Sequence, residues 1–156
     1  MLLGVLSDTH GTLHPRLLAV FREAGVERIL HAGDVGRESV LAELQAVAPT
    51  LAVRGNVDTR GVVAQLPQEV RFEAEAVEVY MTHVGGKPEH WLPRLPVPRP
   101  AVAICGHSHI PLLQLLGGVL FLNPGAAGTR PRFGGTLTAA LLRLEEGKAK
   151  AEIMTL

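Results

Sequence analysis

Five apolar runs in this chain each lead directly into a residue that commonly binds metal ions. The runs are short, as buried strands are. If they form neighbouring strands, their carboxyl ends meet at one edge, where open α/β sheets place their ligands. Two carboxylates, one amide and four imidazoles would then share one site. The segments that follow the runs are Asp8-Thr9-His10, Gly33-Asp34, Gly55-Asn56-Val57-Asp58, Thr82-His83 and Gly106-His107-Ser108-His109.

The beginning of the chain predicts a βαβαβ unit. Two stretches between its apolar runs carry apolar residues at helical spacing. The first follows Pro15 and ends at Gly25, and the second ends before Pro49. Strands that alternate with helices indicate a parallel sheet with right-handed crossovers. The predicted strands are residues 2–7, 28–32 and 50–53.

After Gly61 the pattern changes to one of closely spaced strands, which predicts a mostly antiparallel second half. The Pro-rich and Gly-rich segment 84–100 is expected to be a loop with at most a short helix near Glu89–Leu92. Together the two halves indicate two packed sheets with helices outside, in one domain over residues 1–156. The predicted strands are 69–73, 76–82, 101–105, 112–116, 119–122, 136–144 and 149–155, the last two forming a terminal hairpin.

The composition argues against large charged partners. The 156-residue chain has a formal net charge of +0, so neither a stable nucleic-acid complex nor attachment to an anionic membrane is expected. A small anionic substrate remains compatible, because a metal ion can hold it locally. Cys105 is the single cysteine, no signal peptide is recognisable, and no apolar run approaches the ~20 residues of a membrane span. We therefore expect a cytoplasmic protein.

The spacing of the candidate ligands favours a metal pair. Asp8 and His10 are two residues apart, as are His107 and His109, and in an extended segment such side chains point the same way. Carboxylate, amide and imidazole groups suit manganese, iron, zinc, cobalt or nickel. Each residue taken alone has an ordinary explanation as a turn or strand-end residue. Their joint occurrence predicts two metal ions and phosphate-ester hydrolysis.

Other catalytic arrangements are poor matches to this sequence. It contains no phosphate-binding loop, no G-x-S-x-G segment and no H-E-x-x-H segment. With no protein nucleophile in evidence, activated water is the natural attacking group. His31 either supports the site through a hydrogen bond or has a plain structural role, and the sequence leaves both open.

The five segments as a set resemble the sequence blocks of the calcineurin-like metallophosphoesterases. The short length and the segment Asn123-Pro124-Gly125 resemble the small bacterial and archaeal phosphodiesterases of that superfamily. The resemblance extends from residue 3 to about residue 132. It implies a four-layer αββα sandwich, in which two mixed β-sheets are flanked by helices.

The resemblance further implies a phosphodiesterase with a dinuclear metal centre. Asp34 and a bridging hydroxide would link the two ions, with manganese preferred and iron, zinc, cobalt and nickel as alternatives. The substrate would be a small phosphodiester, with nucleotides included, and self-association is left open. By matching position, one ion would be held by Asp8, His10, Asp34 and His109, and the other by Asp34, Asn56, His83 and His107. The residues expected to act in catalysis are Asp34, Asn56 and His107, and those expected to bind substrate are Asn56 and Arg132.

Val57 departs from the pattern of many family members, which have a histidine there that assists the leaving group. A valine cannot transfer a proton, so a good leaving group or another proton donor is needed. The alternative function is a non-catalytic interaction scaffold of the same fold, for which the apolar stretch Pro111–Leu122 would supply a partner face. A scaffold has no need to keep the ligands, yet each of the five segments retains them.

Overall fold

The computed structural model describes residues 1–131 and 135–156, and these form ten strands and three short helices. Single 3-10 turns lie at Val62–Gln65 and Leu92–Arg94. Among the described residues, no helix has the length and apolar character needed to cross a membrane. In chain order the elements are β1 (Leu2–Leu6), α1 (Leu17–Ala24), β2 (Arg28–His31), α2 (Glu38–Gln45), β3 (Thr50–Ala52), β4 (Glu69–Ala74), β5 (Val77–Thr82), α3 (Pro88–Trp91), β6 (Val102–Ile104), β7 (Leu112–Leu116), β8 (Val119–Asn123), β9 (Thr138–Glu145) and β10 (Lys148–Thr155).

The strands form two five-stranded sheets, in the orders β10-β9-β1-β2-β3 and β4-β5-β6-β8-β7. In the first sheet β1, β2 and β3 are parallel, as the βαβαβ pattern predicted, and the hairpin of β9 and β10 adds antiparallel strands beside β1. Both sheets are mixed, which confirms the predicted architecture.

The prediction of a mostly antiparallel second half is wrong at the centre of the second sheet. There β5, β6 and β8 are parallel, and only the outer strands β4 and β7 pair antiparallel. The reason lies in the connection from β5 to β6, which includes α3 and is long enough to return the chain for parallel pairing.

Alternation along the strands creates three apolar layers. On β1, Leu3 and Val5 pack between the two sheets, whereas Leu2 and Leu6 pack against α1 and α2. On the outer face of the second sheet, Tyr80 packs with residues of α3. Helices, sheet, sheet and helix therefore follow one another as four layers.

The first helix shows how the chain marks its ends. α1 begins at Leu17, two residues beyond Pro15. It ends as predicted at Gly25, whose φ of 72° is left-handed and whose N–H donates to the carbonyls of Arg22 and Phe21. Its Phe21 is fully buried and lies over Gly4 of β1, where a Cβ would sit 2.8 Å from the ring. The helix can approach the sheet this closely because Gly4 has no side chain.

We predict that Gly4→Ala destabilises the protein. The added methyl group must displace the Phe21 ring, and overpacking of this kind typically costs about 1–3 kcal/mol of unfolding free energy. Urea denaturation of Gly4→Ala, Phe21→Leu and the double variant measures the effect. The double variant should lose less stability than the sum of the two single changes. Additive losses would show that the two positions do not conflict.

Candidate metal centre

The candidate ligands lie on loops that follow five strands, and one of these strands, β3, precedes Asn56. Asp8 follows β1 and Asp34 follows β2, in the first sheet, and His83 follows β5 in the second. His107 and His109 follow β6, which is parallel to β5. The carboxyl ends of both parallel pairs meet at one edge of the sandwich, so the site is built from both sheets.

Five of these side chains form two overlapping groups. Asp8, His10 and His109 make one group and Asp8, Asp34 and His83 the other, and within each group the ligand atoms lie within 4.8 Å of one another. His109 Nε2 is 3.2 Å from Asp8 Oδ1 and 3.2 Å from His10 Nε2. The two groups are therefore close enough for one carboxylate to take part in both, as Asp8 does.

Asp34 links the two groups through its two carboxylate oxygens. Its Oδ2 lies 3.7 Å from His10 Nε2, and its Oδ1 lies 3.4 Å from His83 Nε2. The Val57 N–H donates to Oδ1 at 3.0 Å. Burial alone would raise the pKa of Asp34, but the His83 ring, the Val57 amide and the His10 ring together lower it to about 2. Asp34 is therefore a carboxylate at neutral pH, with one oxygen toward each group.

The backbone of the ligand loops is left-handed, which the sequence did not predict. Of the eight non-glycine residues with positive φ among those described, five are candidate ligands and the other three lie in hairpin turns. L-residues rarely adopt this region, and such residues cluster at functional sites. The five are Asp8 (φ 54°), His10 (φ 49°), Asp34 (φ 55°), His107 (φ 70°) and His109 (φ 60°).

The expectation of extended segments is therefore wrong. Asp8 and His10 do converge, but through two left-handed residues and not through the alternation of a strand. His107 and His109 do not join the same group. His109 faces Asp8, whereas the His107 ring is exposed and stands edge-on to His83, with ring centroids 5.3 Å apart.

The chemistry of the buried atoms suits divalent cations. His83 Nδ1 lies 2.8 Å from the Ala32 carbonyl and must donate to it, so Nε2 is the ring nitrogen that faces Asp34 and that would offer a lone pair to a metal ion when the ring is neutral. His83 Nε2 and Asp8 Oδ1 are buried and make no well-formed hydrogen bond among the described residues, and their ion-pair contacts are with other candidate ligands, Asp34 Oδ1 at 3.4 Å and His109 Nε2 at 3.2 Å. Buried polar atoms are seldom left unpaired. An imidazole lone pair and a carboxylate oxygen are the donor atoms expected of ligands to such ions.

Asp8 also connects the two sheets. Its Oδ2 accepts the N–H of His107 at 3.0 Å, across the layer between the first and second sheets. Burial raises the pKa of Asp8, while a hydrogen bond from Ser7 and the charges of His83 and His109 act in the opposite direction. The carboxylate thus depends on neighbouring positive charge to stay ionised.

Two expected ligands lie at the border of the groups, and one expected substrate-binding residue lies outside the described residues. Asn56 is exposed and lines an opening together with Arg54 and Thr59. His107 borders the second group from the outside. Arg132 lies outside the described residues, but its near neighbour Arg130 lines a polar cavity of about 360 Å³ that also contains Asp8, His10 and His109.

Asp58 has a supporting role that the sequence analysis missed. Its carboxylate accepts three backbone N–H groups, from Val35 at 3.1 Å, Gly36 at 2.7 Å and Gly55 at 2.8 Å. It therefore fastens the loop that carries Asn56 to the loop that carries Asp34. Its place two residues after Asn56 was the only sequence signal, and an aspartate after a strand is ordinarily a turn residue.

His31 supports the site through hydrogen bonds to Thr9 and Gly33, which flank candidate ligands, and it does not contact a ligand side chain through these bonds. The Gly33 N–H donates to His31 Nδ1 at 3.2 Å, so the ring proton is on Nε2, which lies 2.9 Å from Thr9 Oγ1. The Thr9 hydroxyl donates in turn to the Val35 carbonyl at 3.0 Å. This buried series of hydrogen bonds joins the loop after β1 to the loop after β2. It requires the neutral His31 tautomer that carries its proton on Nε2.

Comparisons with known proteins show which family and fold the chain is similar to. The family model described as the calcineurin-like phosphoesterase superfamily domain matches residues 1–147. A probable metallophosphoesterase of Methanothermobacter thermautotrophicus is 36% identical over 163 residues, covering 99% of this chain and 92% of that protein. Phosphodiesterase YfcE of Escherichia coli strain K12 is 30% identical, covering 81% and 79%. The crystal structure of a single mutant of Vps29 from Entamoeba histolytica shares the fold, with a TM-score of 0.82 at 19% identity, covering 100% and 99%.

We predict that His31 makes stability depend on pH below neutrality. Complete burial lowers the pKa of His31 from 6.5 to about 4. Between these two pH values His31 is protonated in the unfolded chain and neutral in the folded protein. The neutral His31 contributes about 3 kcal/mol to the free energy of unfolding above pH 6.5, and this contribution is lost as the pH falls toward 4. Urea denaturation at pH 7, 5.5 and 4 should show a shallower pH dependence for His31→Gln than for the unchanged protein.

The matched control is His90→Gln, on the exposed surface of α3. It should reproduce the pH dependence of the unchanged protein. Equal slopes for all three proteins would mean that His31 is not held neutral.

Proposed function

Because this chain belongs to the calcineurin-like phosphoesterase superfamily, we propose that it hydrolyses phosphodiesters with the help of two divalent metal ions. The observation that carries the proposal is the position of Asp34, whose two oxygens face imidazoles of two different groups. A carboxylate in this position suits a bridge between two ions. Manganese is the ion that we expect, with iron, zinc, cobalt or nickel as alternatives.

The proposed ligands are those that the family resemblance implies, and five of the seven belong to the two groups. Asn56 and His107, which lie beyond the ends of β3 and β6, would complete the second set. The first ion would be held by Asp8, His10, Asp34 and His109, and the second by Asp34, Asn56, His83 and His107.

Each residue has a definite task in the proposed reaction. When bound, two such ions would draw electron density from the phosphoryl oxygens and lower the pKa of a coordinated water. Asp34 keeps the two sides of the site together, and His83 is oriented by its bond to the Ala32 carbonyl. Asn56 and His107 are exposed and would donate hydrogen bonds to a substrate phosphate.

The leaving group receives no proton from Val57, which is 45% exposed and cannot supply one. General-acid assistance is typically worth ~10²–10⁴ in rate, so the enzyme should favour esters whose leaving groups are already acidic. Arg130 would provide positive charge for the substrate phosphate near Asp8 and His10, and Arg132, two residues further along the sequence, stays an expected substrate-binding residue. We expect small diesters in the cytoplasm as substrates, since a net charge of +0 provides no overall attraction for a polyanion.

A scaffold function is the second candidate, and one observation favours it. On the edge strand β7, Leu113 and Leu115 are 41% and 71% exposed, so the apolar stretch proposed as a partner face does present side chains to solvent. The same stretch buries Val119, Phe121 and Leu122 in the core. A scaffold would show no metal-dependent hydrolysis.

We predict metal-dependent cleavage of bis(4-nitrophenyl) phosphate. Protein reconstituted with manganese should release nitrophenolate, and prior treatment with a chelator should abolish the reaction. Changes to groups that merely orient metal ligands typically cost about 10–100-fold, so Asp34→Asn, which removes the proposed bridging charge, should lower kcat/KM by at least ~100-fold.

Glu43→Gln on the exposed side of α2 is the matched control and should keep full activity. Hydrolysis that survives both Asp34→Asn and chelation would rule out this mechanism.

A further inference from the structure

An apolar cavity of about 310 Å³ adjoins the candidate metal centre. Its two walls are the loops that carry the ligands of the second sheet. One wall continues from His83 through Val84, Gly85 and Gly86, and the other contains His107 itself. The cavity beside Asp8 and His10 is polar, so this one is the apolar space that adjoins the metal centre, through His107, and an apolar group attached to a phosphate there could enter it.

The floor of the cavity is aromatic and aliphatic. Trp91 of α3 and Phe121 of β8 lie with their ring centroids 5.5 Å apart, and Leu112 of β7 completes the surface. At the rim, Val84 and Ile110 are 53% and 68% exposed, and they extend the apolar surface of the cavity toward solvent. These side chains suit a flat apolar group better than a hydrated one.

The walls are held in place before any ligand arrives. A Cβ on Gly85 would sit 2.6 Å from the Trp91 ring, so the loop lies directly against the indole. Arg94 fastens the same loop from outside by donating to the Gly85 carbonyl at 3.0 Å. On the opposite wall, the Asn123 amide donates to the Gly106 carbonyl at 2.8 Å and to Ser108 Oγ at 3.0 Å. A fixed cavity binds its ligand with less loss of entropy than a mobile one.

The size of the cavity fits an aromatic ring with its linker. A cavity of ~150 Å³ lined by aliphatic and aromatic side chains is sufficient to bind benzene. The volume here is about twice that. Lys87 lines the same cavity and offers a cation to an anionic ester.

We propose that this cavity binds a planar aromatic group of the phosphodiester, so that the chain prefers aryl or nucleoside esters to alkyl esters. The proposal rests on the proposed function, because it takes the phosphate to lie at the metal centre. It adds a determinant of specificity, formed by Trp91, Leu112, Phe121 and the loop from Val84 to Gly86, that is separate from the metal ligands.

Trp91 provides a direct test, since it is the single tryptophan of the chain. Its indole N–H gives one resonance in a ¹⁵N-correlated NMR spectrum of the zinc-loaded protein. Phenylphosphonate and methylphosphonate, which cannot be hydrolysed, are titrated separately. Phenylphosphonate should move the indole resonance saturably and bind at least ~10-fold more tightly than methylphosphonate, which should leave the resonance in place.

Adenosine 5′-monophosphate is the third ligand, and it separates the two kinds of aromatic group. Movement of the indole resonance by both phenylphosphonate and the nucleotide supports a site that accepts nucleobases. Movement by phenylphosphonate alone supports a site for simple aryl groups.

Two neighbouring positions on β7 supply a matched pair of variants. Leu112 lines the cavity, whereas Leu113 lies on the opposite face of the strand and is 41% exposed. Leu112→Phe partly fills the cavity and should weaken the binding of phenylphosphonate by about 10-fold without affecting the binding of methylphosphonate. Leu113→Phe should change the affinity for neither compound. Val84→Ser, at the exposed rim, gives a second test if Leu112→Phe does not fold. It should weaken the binding of phenylphosphonate but not that of methylphosphonate.

Equal affinity for the phenyl and methyl compounds, or an indole resonance that stays fixed at saturation, would overturn the proposal. Its failure is distinguishable from failure of the proposed function. A protein that hydrolyses diesters but shows no response at Trp91 would refute the aromatic site alone. A response at Trp91 without any metal-dependent hydrolysis would refute the enzyme assignment alone.

Discussion

The structure depends on hydrogen bonds between loops that hold five candidate ligands in a left-handed backbone. A left-handed residue costs roughly 1–2 kcal/mol relative to the ordinary helical conformation. This cost is offset because the pairing of β1 with β2 continues beyond the strands. Asp8, His10 and Gly11 donate their N–H groups to Gly33, Asp34 and Val35 at 3.0, 3.0 and 2.8 Å. The loops after β5 and β6 are joined in the same way, by the Gly106 N–H and the His83 carbonyl at 3.0 Å.

Close approach of these loops requires residues without side chains between them. A Cβ on Gly33 would lie 2.6 Å from the His83 ring, and one on Gly106 would lie 1.9 Å from Ser7 Oγ. The first contact brings together the β2 and β5 loops, and the second brings together the β1 and β6 loops. Both join the first sheet to the second. The two sheets can therefore present one compact site only because these positions carry no side chain.

Much of the fold and the outline of the site could be predicted from the sequence. Apolar runs that end in Asp8, Asp34 and His83 identified the strands and the shared edge, because burial and strand length act locally. The sequence pattern did not predict features that contacts between distant residues determine. Whether β6 pairs parallel to β5 depends on the course of the chain through α3, and the left-handed backbone at Asp8 depends on a loop more than twenty residues away. The anchoring carboxylate of Asp58 and the cavity beside Trp91 likewise exist only after the sheets have packed.

The central claim is that Asp34 lies between two metal ions. Anomalous diffraction at the manganese edge, from crystals grown with manganese, tests it most directly. We predict two peaks for each chain, one beside Asp8, His10 and His109 and one beside His83, with the Asp34 carboxylate between them. A single peak, or density remote from Asp34, would contradict the account.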